Sequence, residues 1–201
     1  MKMVLFSFVL LQAVLLFSSP EKLPFAFLGV STDHQPDIAT KLKAKIIEKL
    51  ENIRKLDHLS GKEIKDLQVK TILSDKVPTN DEEARNIFNN LGAILLSSAY
   101  LRKITHKTSN NFWPPFSVNV NFLAEMELEI FECSKNKLLF SGIVKGSAYH
   151  TRLFTLNTST YDKGFLDAVD RDKVVNNLII DMAEKVAKII KQITSDSSIT
   201  E

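Results

Sequence analysis

The clearest pattern in the chain is an alternation of apolar and polar residues between positions 117 and 130. The apolar positions are Val118, Val120, Phe122, Ala124, Met126, Leu128 and Ile130. Because successive side chains of a strand point to opposite faces, this pattern predicts a β-strand with one buried face and one mostly polar face. Lys135-Asn136-Lys137 predicts a turn, and residues 138–151 predict the returning strand of a long hairpin.

The same pattern predicts how the two strands pair. A three-residue loop sets Leu128 opposite Val144 and Glu127 opposite Lys145. A slip of one residue would place Glu127 on the apolar face of its partner, so the first register is favoured. We therefore expect a weak cross-strand ion pair between Glu127 and Lys145.

Three shorter apolar runs predict further strands. They are residues 25–30, residues 56–59, and a run that opens at Ala93 and continues through Ile104. Short apolar runs bounded by polar or turn-forming residues are typical of buried strands. The polar segment from Thr105 to Asn111 predicts a loop.

Apolar residues spaced by three and four predict helices. The first helix begins at Pro36, which suits a first helical turn, and its apolar face runs to Ile53. The last carries an apolar stripe from Val174 to Ile193. A shorter helix is expected to start near Asn80 and to end at Gly92, because glycine favours the position after a helix. Another short helix is expected over residues 60–67, which open with a capping box.

These elements predict one α/β (α+β) domain with a mixed sheet of about five strands. A long β-hairpin forms part of the sheet, and the two long helices pack on one of its faces. No Gly-rich or Pro-rich linker divides the chain, so a single domain is expected over residues 20–194. Residues 195–201 are polar and are expected to form a flexible tail.

The first residues have the three parts of a signal peptide. Lys2 gives a basic start, residues 4–17 are almost entirely apolar, and Ser18-Ser19 gives a small-residue exit. The apolar run is shorter than the roughly 20 residues of a membrane-spanning helix. We therefore expect a signal peptide at 1–19 and a periplasmic or secreted protein, without a Cys after the leader for lipidation. An uncleaved anchor helix is the alternative.

Composition, charge and cysteine count limit the classes of structure and partner that we expect. Apolar content is 44% and charged content 25%, which argues against disorder. The net charge is +2 without a basic stripe, so no nucleic acid is expected as a partner. Cys133 is the only cysteine, which excludes an intramolecular disulfide. It is either a half-buried small residue or a residue that pairs between chains.

A search for reactive chemistry gives no candidate. The histidines are far apart in sequence and none has the spacing of a zinc site: His34, His58, His106 and His150. Asp57 beside His58 is a neighbour pair too common to indicate catalysis. The sequence therefore predicts no catalytic residue, no cofactor and no metal, and so a protein that is not an enzyme.

Aromatic residues give one candidate binding site. Phe112, Trp113 and Phe116 surround two prolines after a polar stretch. Such a group could form a rigid, partly exposed patch that contacts a protein or a membrane surface. The alternative is that these rings close the edge of the sheet.

Three carboxylates give a second candidate surface. Glu125, Glu127 and Glu129 alternate along the predicted strand and therefore share one face. They could line a channel or receive a basic partner, or they could form a solvated sheet face that discourages aggregation.

The chain as a whole resembles a known group of periplasmic domains. The features that carry this resemblance are the opening strand 25–30, the helix that ends in Gly92 before Ala93-Ile94-Leu95-Leu96, the acidic hairpin strand, and the closing helix that starts near residues 166–169. In these respects the chain is similar to the curli-secretion-channel (CsgG-like) and TolB N-terminal group. It differs from the secretion channel in lacking the lipidated Cys and in showing one long hairpin.

This resemblance implies an exported, non-enzymatic module that binds proteins or assembles in the cell envelope. The expected partners are envelope proteins, or further copies of the chain, and contact with a membrane is an option that this function does not require. The alternative function is a subunit of an oligomeric ring or secretion pore.

Overall fold

A computed structural model describes residues 22–59, 81–92, 95–111, 117–153 and 168–195. The strands in these ranges are β1 (Leu23–Ser31), β2 (Leu56–His58), β3 (Leu95–Asn111), β4 (Ser117–Glu132) and β5 (Lys137–Leu153). The helices there are α1 (Pro36–Glu51), α2 (Asp81–Leu91) and α3 (Ala168–Ser195). The predicted α/β class is confirmed.

The strands form one mixed sheet in the order β2-β1-β3-β4-β5. β1 runs parallel to both of its neighbours, whereas β3, β4 and β5 are antiparallel to one another. The parallel pair β1 and β2 is joined through α1, which crosses one face of the sheet, as parallel neighbours require a crossover. Five strands with helices packed on them agree with the predicted architecture.

β1 is buried on both faces, which explains its continuous apolar sequence. Phe25 and Phe27 belong to the main core beneath α1 and α3. Ala26 and Leu28 belong to a second core on the opposite face, where α2 contributes Ala84. A strand that is covered on both faces is apolar at successive positions, because neither face contacts water.

The two long helices lie side by side on one face, as predicted. The buried stripe of α3 includes Val174, Leu178, Met182, Val186 and Ile190. An ion pair of 2.7 Å between Lys49 Nζ and Glu184 Oε1 joins the exposed sides of α1 and α3. On the other face, α2 ends where expected: Gly92 has a φ of 62° and its N–H donates to the Phe88 carbonyl at 2.8 Å.

The β4–β5 hairpin has a different register from the predicted one. Its turn occupies residues 133–136, and Lys137 already pairs with Glu132. One extra residue of β5, Leu139, then shifts the register. As a result Lys145 lies opposite Glu125, and the predicted pairing with Glu127 is wrong by two residues. The faces are nevertheless right, because a shift by an even number keeps every side chain on its side.

The segment from Thr105 to Asn111 is a strand, so the predicted loop there is wrong. β3 continues to Asn111 and pairs with β4 over its full length. Polar residues on both faces hide the alternation that usually indicates a strand. The sheet therefore contains two consecutive long hairpins, β3–β4 and β4–β5, rather than the one that the sequence indicated.

Several predictions lie outside the described residues. These are the signal peptide, the short helix over 60–67 and the tail after Ser195. Across the ranges that the structure describes, no helix combines the length and the apolar character needed to cross a membrane.

Candidate protein-binding surface

The antiparallel part of the sheet extends well beyond its parallel part. β1 pairs with β3 only as far as Tyr100, and β3, β4 and β5 then continue as a three-stranded sheet. We call residues 103–111, 117–125 and 145–153 the distal sheet. At its start the Tyr100 hydroxyl donates to Asp33 Oδ2 at 2.5 Å, which ties the loop after β1 to β3 and raises the pKa of Tyr100.

One face of the distal sheet is packed and the other is open. Val120, Phe122 and Ala148 are buried in the main core together with residues of α3. On the opposite face Tyr149 is 78% exposed, and the Lys145 side chain is 74% exposed. The strands therefore present a polar, solvent-facing surface in the part of the chain that the structure describes.

The open face of the distal sheet is basic. Its described charged side chains are Lys103, Lys107 and Lys145 against Glu125, which gives a net charge of +2. Glu125 lies between two of the lysines, with Lys103 Nζ at 3.2 Å and Lys145 Nζ at 3.8 Å. Lys107 lies opposite Asn121, and no carboxylate of the described residues pairs with it.

Glu127 and Glu129, which share the face of Glu125, have polar or basic neighbours on the adjacent strands. Arg102 of β3 forms an ion pair with Glu127, and Glu129 lies between Ser98 and Ser141 on the adjacent strands. This arrangement favours a solvated, charge-paired face over an acidic docking site, because paired exposed charges offer little further attraction.

Helix α3 covers the middle of the free edge of β5. Asp181 Oδ2 accepts a hydrogen bond of 2.9 Å from the Ser147 N–H, and Lys185 Nζ donates to the Lys145 carbonyl at 2.9 Å. The two side chains also form an ion pair of 2.7 Å with each other. They occupy backbone groups that an edge strand otherwise offers to another chain.

Beyond this covered stretch, the edge of β5 borders a cleft. It has a volume of about 440 Å³ and is lined by Ser147, Ala148, Tyr149, His150, Thr151 and Asn177. These described lining residues include no Asp, Glu, Lys or Arg. The Thr151 hydroxyl donates to Asn119 Oδ1 at 2.6 Å, which holds β5 to β4 at this end.

Past Tyr100, β3 also has a side on which no described strand pairs with it. The Ala99 carbonyl accepts a hydrogen bond from the Ser31 hydroxyl at 3.4 Å, so the backbone groups of Ala99 point toward β1. Residues with side chains on one face of a strand direct their backbone groups to one side. Ile104 packs in the same core as Ala99, and His106 stacks on Phe122 of that core at 5.8 Å.

It follows that the N–H and C=O groups of Ile104, His106 and Thr108 point away from β4. No strand in the described part of the chain lies on that side. Thr105, His106, Lys107, Thr108 and Ser109 are all exposed. The sequence interpretation missed this edge because the segment was assigned to a loop. The signal that could have revealed it is the weak alternation of Ile104, His106 and Thr108 with two lysines.

The predicted binding residues stay untested. Phe112, Trp113 and Phe116 fall in the segment between β3 and β4, which lies outside the described residues. They therefore follow the distal sheet in sequence, and their role as a contact patch is still a prediction.

The remaining sequence candidates are separated by the fold. Asp57 and His58 are consecutive in β2 and so point to opposite faces, while the His58 ring packs edge-on against Phe25 at 5.4 Å. Cys133 is 3% exposed, more buried than expected, and burial raises the pKa of its thiol to about 12. Within the described ranges, no three His, Cys, Asp or Glu side chains come together as a metal site.

Comparison with known proteins shows the fold. No family model and no curated protein matches the chain. The hypothetical protein CT253 from Chlamydia trachomatis has a TM-score of 0.53 at 14% identity, over 87% of this chain and 99% of that chain. This likeness shows that the two chains share a fold.

Two further solved structures are similar at a lower level. The C-terminal domain of LpoB from Salmonella enterica has a TM-score of 0.43 at 12% identity, over 64% of this chain and 85% of that chain. Lipoprotein GNA1162 from Neisseria meningitidis has a TM-score of 0.42 at 9% identity, over 87% and 99%. None of the three names refers to the curli channel or to TolB. The finer resemblance is therefore not confirmed.

Proposed function

We propose that this chain is a non-enzymatic, protein-binding module of the bacterial cell envelope. The observation that carries the proposal is the distal sheet, which extends past β1 and offers an open basic face and an edge of β3 that no described strand covers. Exposed strand edges bind extended chains, and a basic open face selects among them by charge. The envelope location rests on the leader pattern between Lys2 and Ser19.

The finer assignment to the CsgG-like and TolB N-terminal group is part of this proposal. It is supported by the element order and by the helix that ends at Gly92 directly before a buried strand. The wider group to which the resemblance points consists of domains that bind other envelope proteins, and an open sheet surface suits that role.

An oligomeric ring is the second candidate. The open edges of β3 and β5 lie on opposite sides of the same three strands, which is the geometry of head-to-tail assembly. However, Lys103 and Lys107 belong to one edge strand and Lys145 to the other, so that contact would bring like charges together. Light scattering separates the two candidates: a monomer favours the binding module, and a closed ring of several copies favours the alternative.

The proposed function is tested by cross-linking in the native host followed by purification from the envelope fraction. We compare the wild type with Lys107→Glu, which reverses a charge of the distal sheet that no described carboxylate pairs with. The matched control is Lys188→Glu, an exposed position on α3 with the same change of charge. An envelope protein that is captured by the wild type and the control, but not by Lys107→Glu, supports the proposal. Identical capture by all three contradicts it.

A further inference from the structure

Among the described residues, no strand lies beside β3 past Tyr100. β1 occupies the neighbouring position only up to Ser31, opposite Tyr100, and then leaves the sheet toward α1. We propose that the edge of β3 from Lys103 to Ser109 binds an acidic, extended segment of a partner protein, which adds a strand to the sheet. This proposal rests on the proposed function and specifies the chemistry of its partner.

The backbone groups of the β3 edge match an extended partner. Ile104, His106 and Thr108 direct their N–H and C=O groups away from β4, and they are spaced two residues apart. Donors and acceptors of alternate strand residues are about 7 Å apart, a spacing that another extended backbone matches. The addition of a strand would give these groups hydrogen-bond partners.

The side chains of the β3 edge favour an acidic partner. Lys103 and Lys107 share the open face, and Thr105 lies between them. Lys103 pairs with Glu125 of β4, Thr105 with Leu123 and Lys107 with Asn121. The strand added beside β3 would place its own side chains next to these residues on the same face. Acidic residues four positions apart in the added strand would therefore meet both lysines.

The same lysines argue against a second copy as the occupant. Pairing of two β3 edges would place the lysines of both copies on one face, where like charges repel. Lysine on an edge strand is a known way to prevent pairing between copies. A repulsive element of this kind excludes basic or identical strands and leaves acidic ones as partners.

The probe is a capped synthetic peptide, Thr-Glu-Val-Thr-Val-Glu-Thr, whose two glutamates are four positions apart. The control peptide has lysine at both of these positions. Each is added to the full chain, and hydrogen exchange and chemical shifts of backbone amides are followed by NMR. We expect the acidic peptide to slow exchange at Ile104, His106 and Thr108, and the lysine peptide to leave these amides unchanged.

Protein variants test the charge requirement. Lys107→Glu should weaken binding of the acidic peptide roughly tenfold, because an attraction becomes a repulsion. Lys188→Glu carries the same change of charge on α3 and should leave the affinity unchanged. Equal loss in both variants would mean that only the overall charge of the protein matters, which contradicts the proposal.

Methylated peptides test the backbone requirement. One peptide carries N-methyl groups on its odd-numbered amides and another on its even-numbered amides. Only one edge of an added strand faces β3, so only one of the two peptides should lose binding. If both bind like the parent peptide, strand addition is wrong.

Three further outcomes overturn the proposal. They are no binding of the acidic peptide, binding without slower exchange at the three outward amides, and binding of the protein to phosphatidylglycerol vesicles in place of the peptide. Each can occur while an envelope protein is still captured in a Lys107-dependent way, in which case the proposed function stands. Loss of that capture specificity, in contrast, rejects the proposed function itself.

Discussion

Gly146 of β5 lies directly against Met182 of α3. A Cβ atom at position 146 would be 2.3 Å from Met182 Sδ and 2.5 Å from its Cγ, with Leu178 Cδ1 at 3.3 Å. The lack of a side chain at Gly146 therefore lets α3 approach the sheet closely. This approach brings Asp181 and Lys185, on the same helix, within hydrogen-bonding distance of the β5 edge.

Gly146→Ala should destabilise the fold by about 1–3 kcal/mol, because overpacking forces the helix or the Met182 side chain to move. The free energy of unfolding in urea measures the effect. In a Met182→Ala background the same substitution should cost less, since most of the crowding atoms are gone. Equal costs in both backgrounds would contradict the close packing of α3 on β5.

Leu128→Ala should cost about 2–5 kcal/mol, because Leu128 is fully buried in the main core. Lys145→Glu, on the exposed face, should cost only about 1 kcal/mol or less. A double-mutant cycle then tests the register: Lys145 should couple to Glu125 and not to Glu127. Coupling of Lys145 to Glu127 instead would contradict this register and support the one that the sequence predicted.

Asp181→Ala should speed hydrogen exchange at the Ser147 amide and lower stability by about 1 kcal/mol. It removes the acceptor of that N–H and the ion pair with Lys185. Glu48→Ala removes a comparable exposed ion pair, that of Lys45 on α1, and should leave the Ser147 amide unchanged. Protection of Ser147 that persists in Asp181→Ala would show that α3 does not cover the β5 edge.

Burial raises the pKa of the Cys133 thiol from its ordinary value of 9.0 to about 12, and the neighbouring Glu132 adds to the rise. Above about pH 9 the unfolded chain releases this proton while the folded chain keeps it. The stability that Cys133 contributes is therefore complete below pH 9 and is lost as the pH rises toward 12.

The measurement is the free energy of unfolding of the wild type minus that of Cys133→Ala, as a function of pH. The difference should be constant below pH 9 and should then shift against the wild type by up to about 1.4 kcal/mol per pH unit. A difference that stays flat up to pH 11 would show that the thiol is accessible to solvent. An accessible thiol would also reopen the option of pairing between chains.

The buried parts of this fold were predicted well from the sequence, because burial of one face makes apolar residues recur at the period of the strand or helix. Apolar and other residues alternate from Val120 to Ile130 because one face of β4 lies in the core. Apolar residues of α3 repeat every three to four positions for the same reason. Where neither face is fully buried, the period fades. Thr105 to Asn111 were assigned to a loop on those grounds, although they form the exposed end of β3.

The details of pairing depend on contacts that no local pattern encodes. The register of β5 is set by the turn at 133–136 and by the extra residue Leu139. The close approach at Gly146 and the covering of Ser147 by Asp181 both join residues more than thirty positions apart. The basic edge of β3 could not be recognised before that segment was known to be a strand whose only neighbour among the described strands is β4.

The most direct test of the central claim is site-specific photo-cross-linking in the native host. A photoreactive residue is placed at Thr105, on the open face of β3, and for comparison at Lys41, an exposed position of α1. We expect a discrete cross-linked product with an envelope protein from position 105, its loss when Lys107→Glu is added, and no such product from position 41. Cross-links from position 41 with none from position 105 would contradict the assignment of the distal sheet as the binding surface.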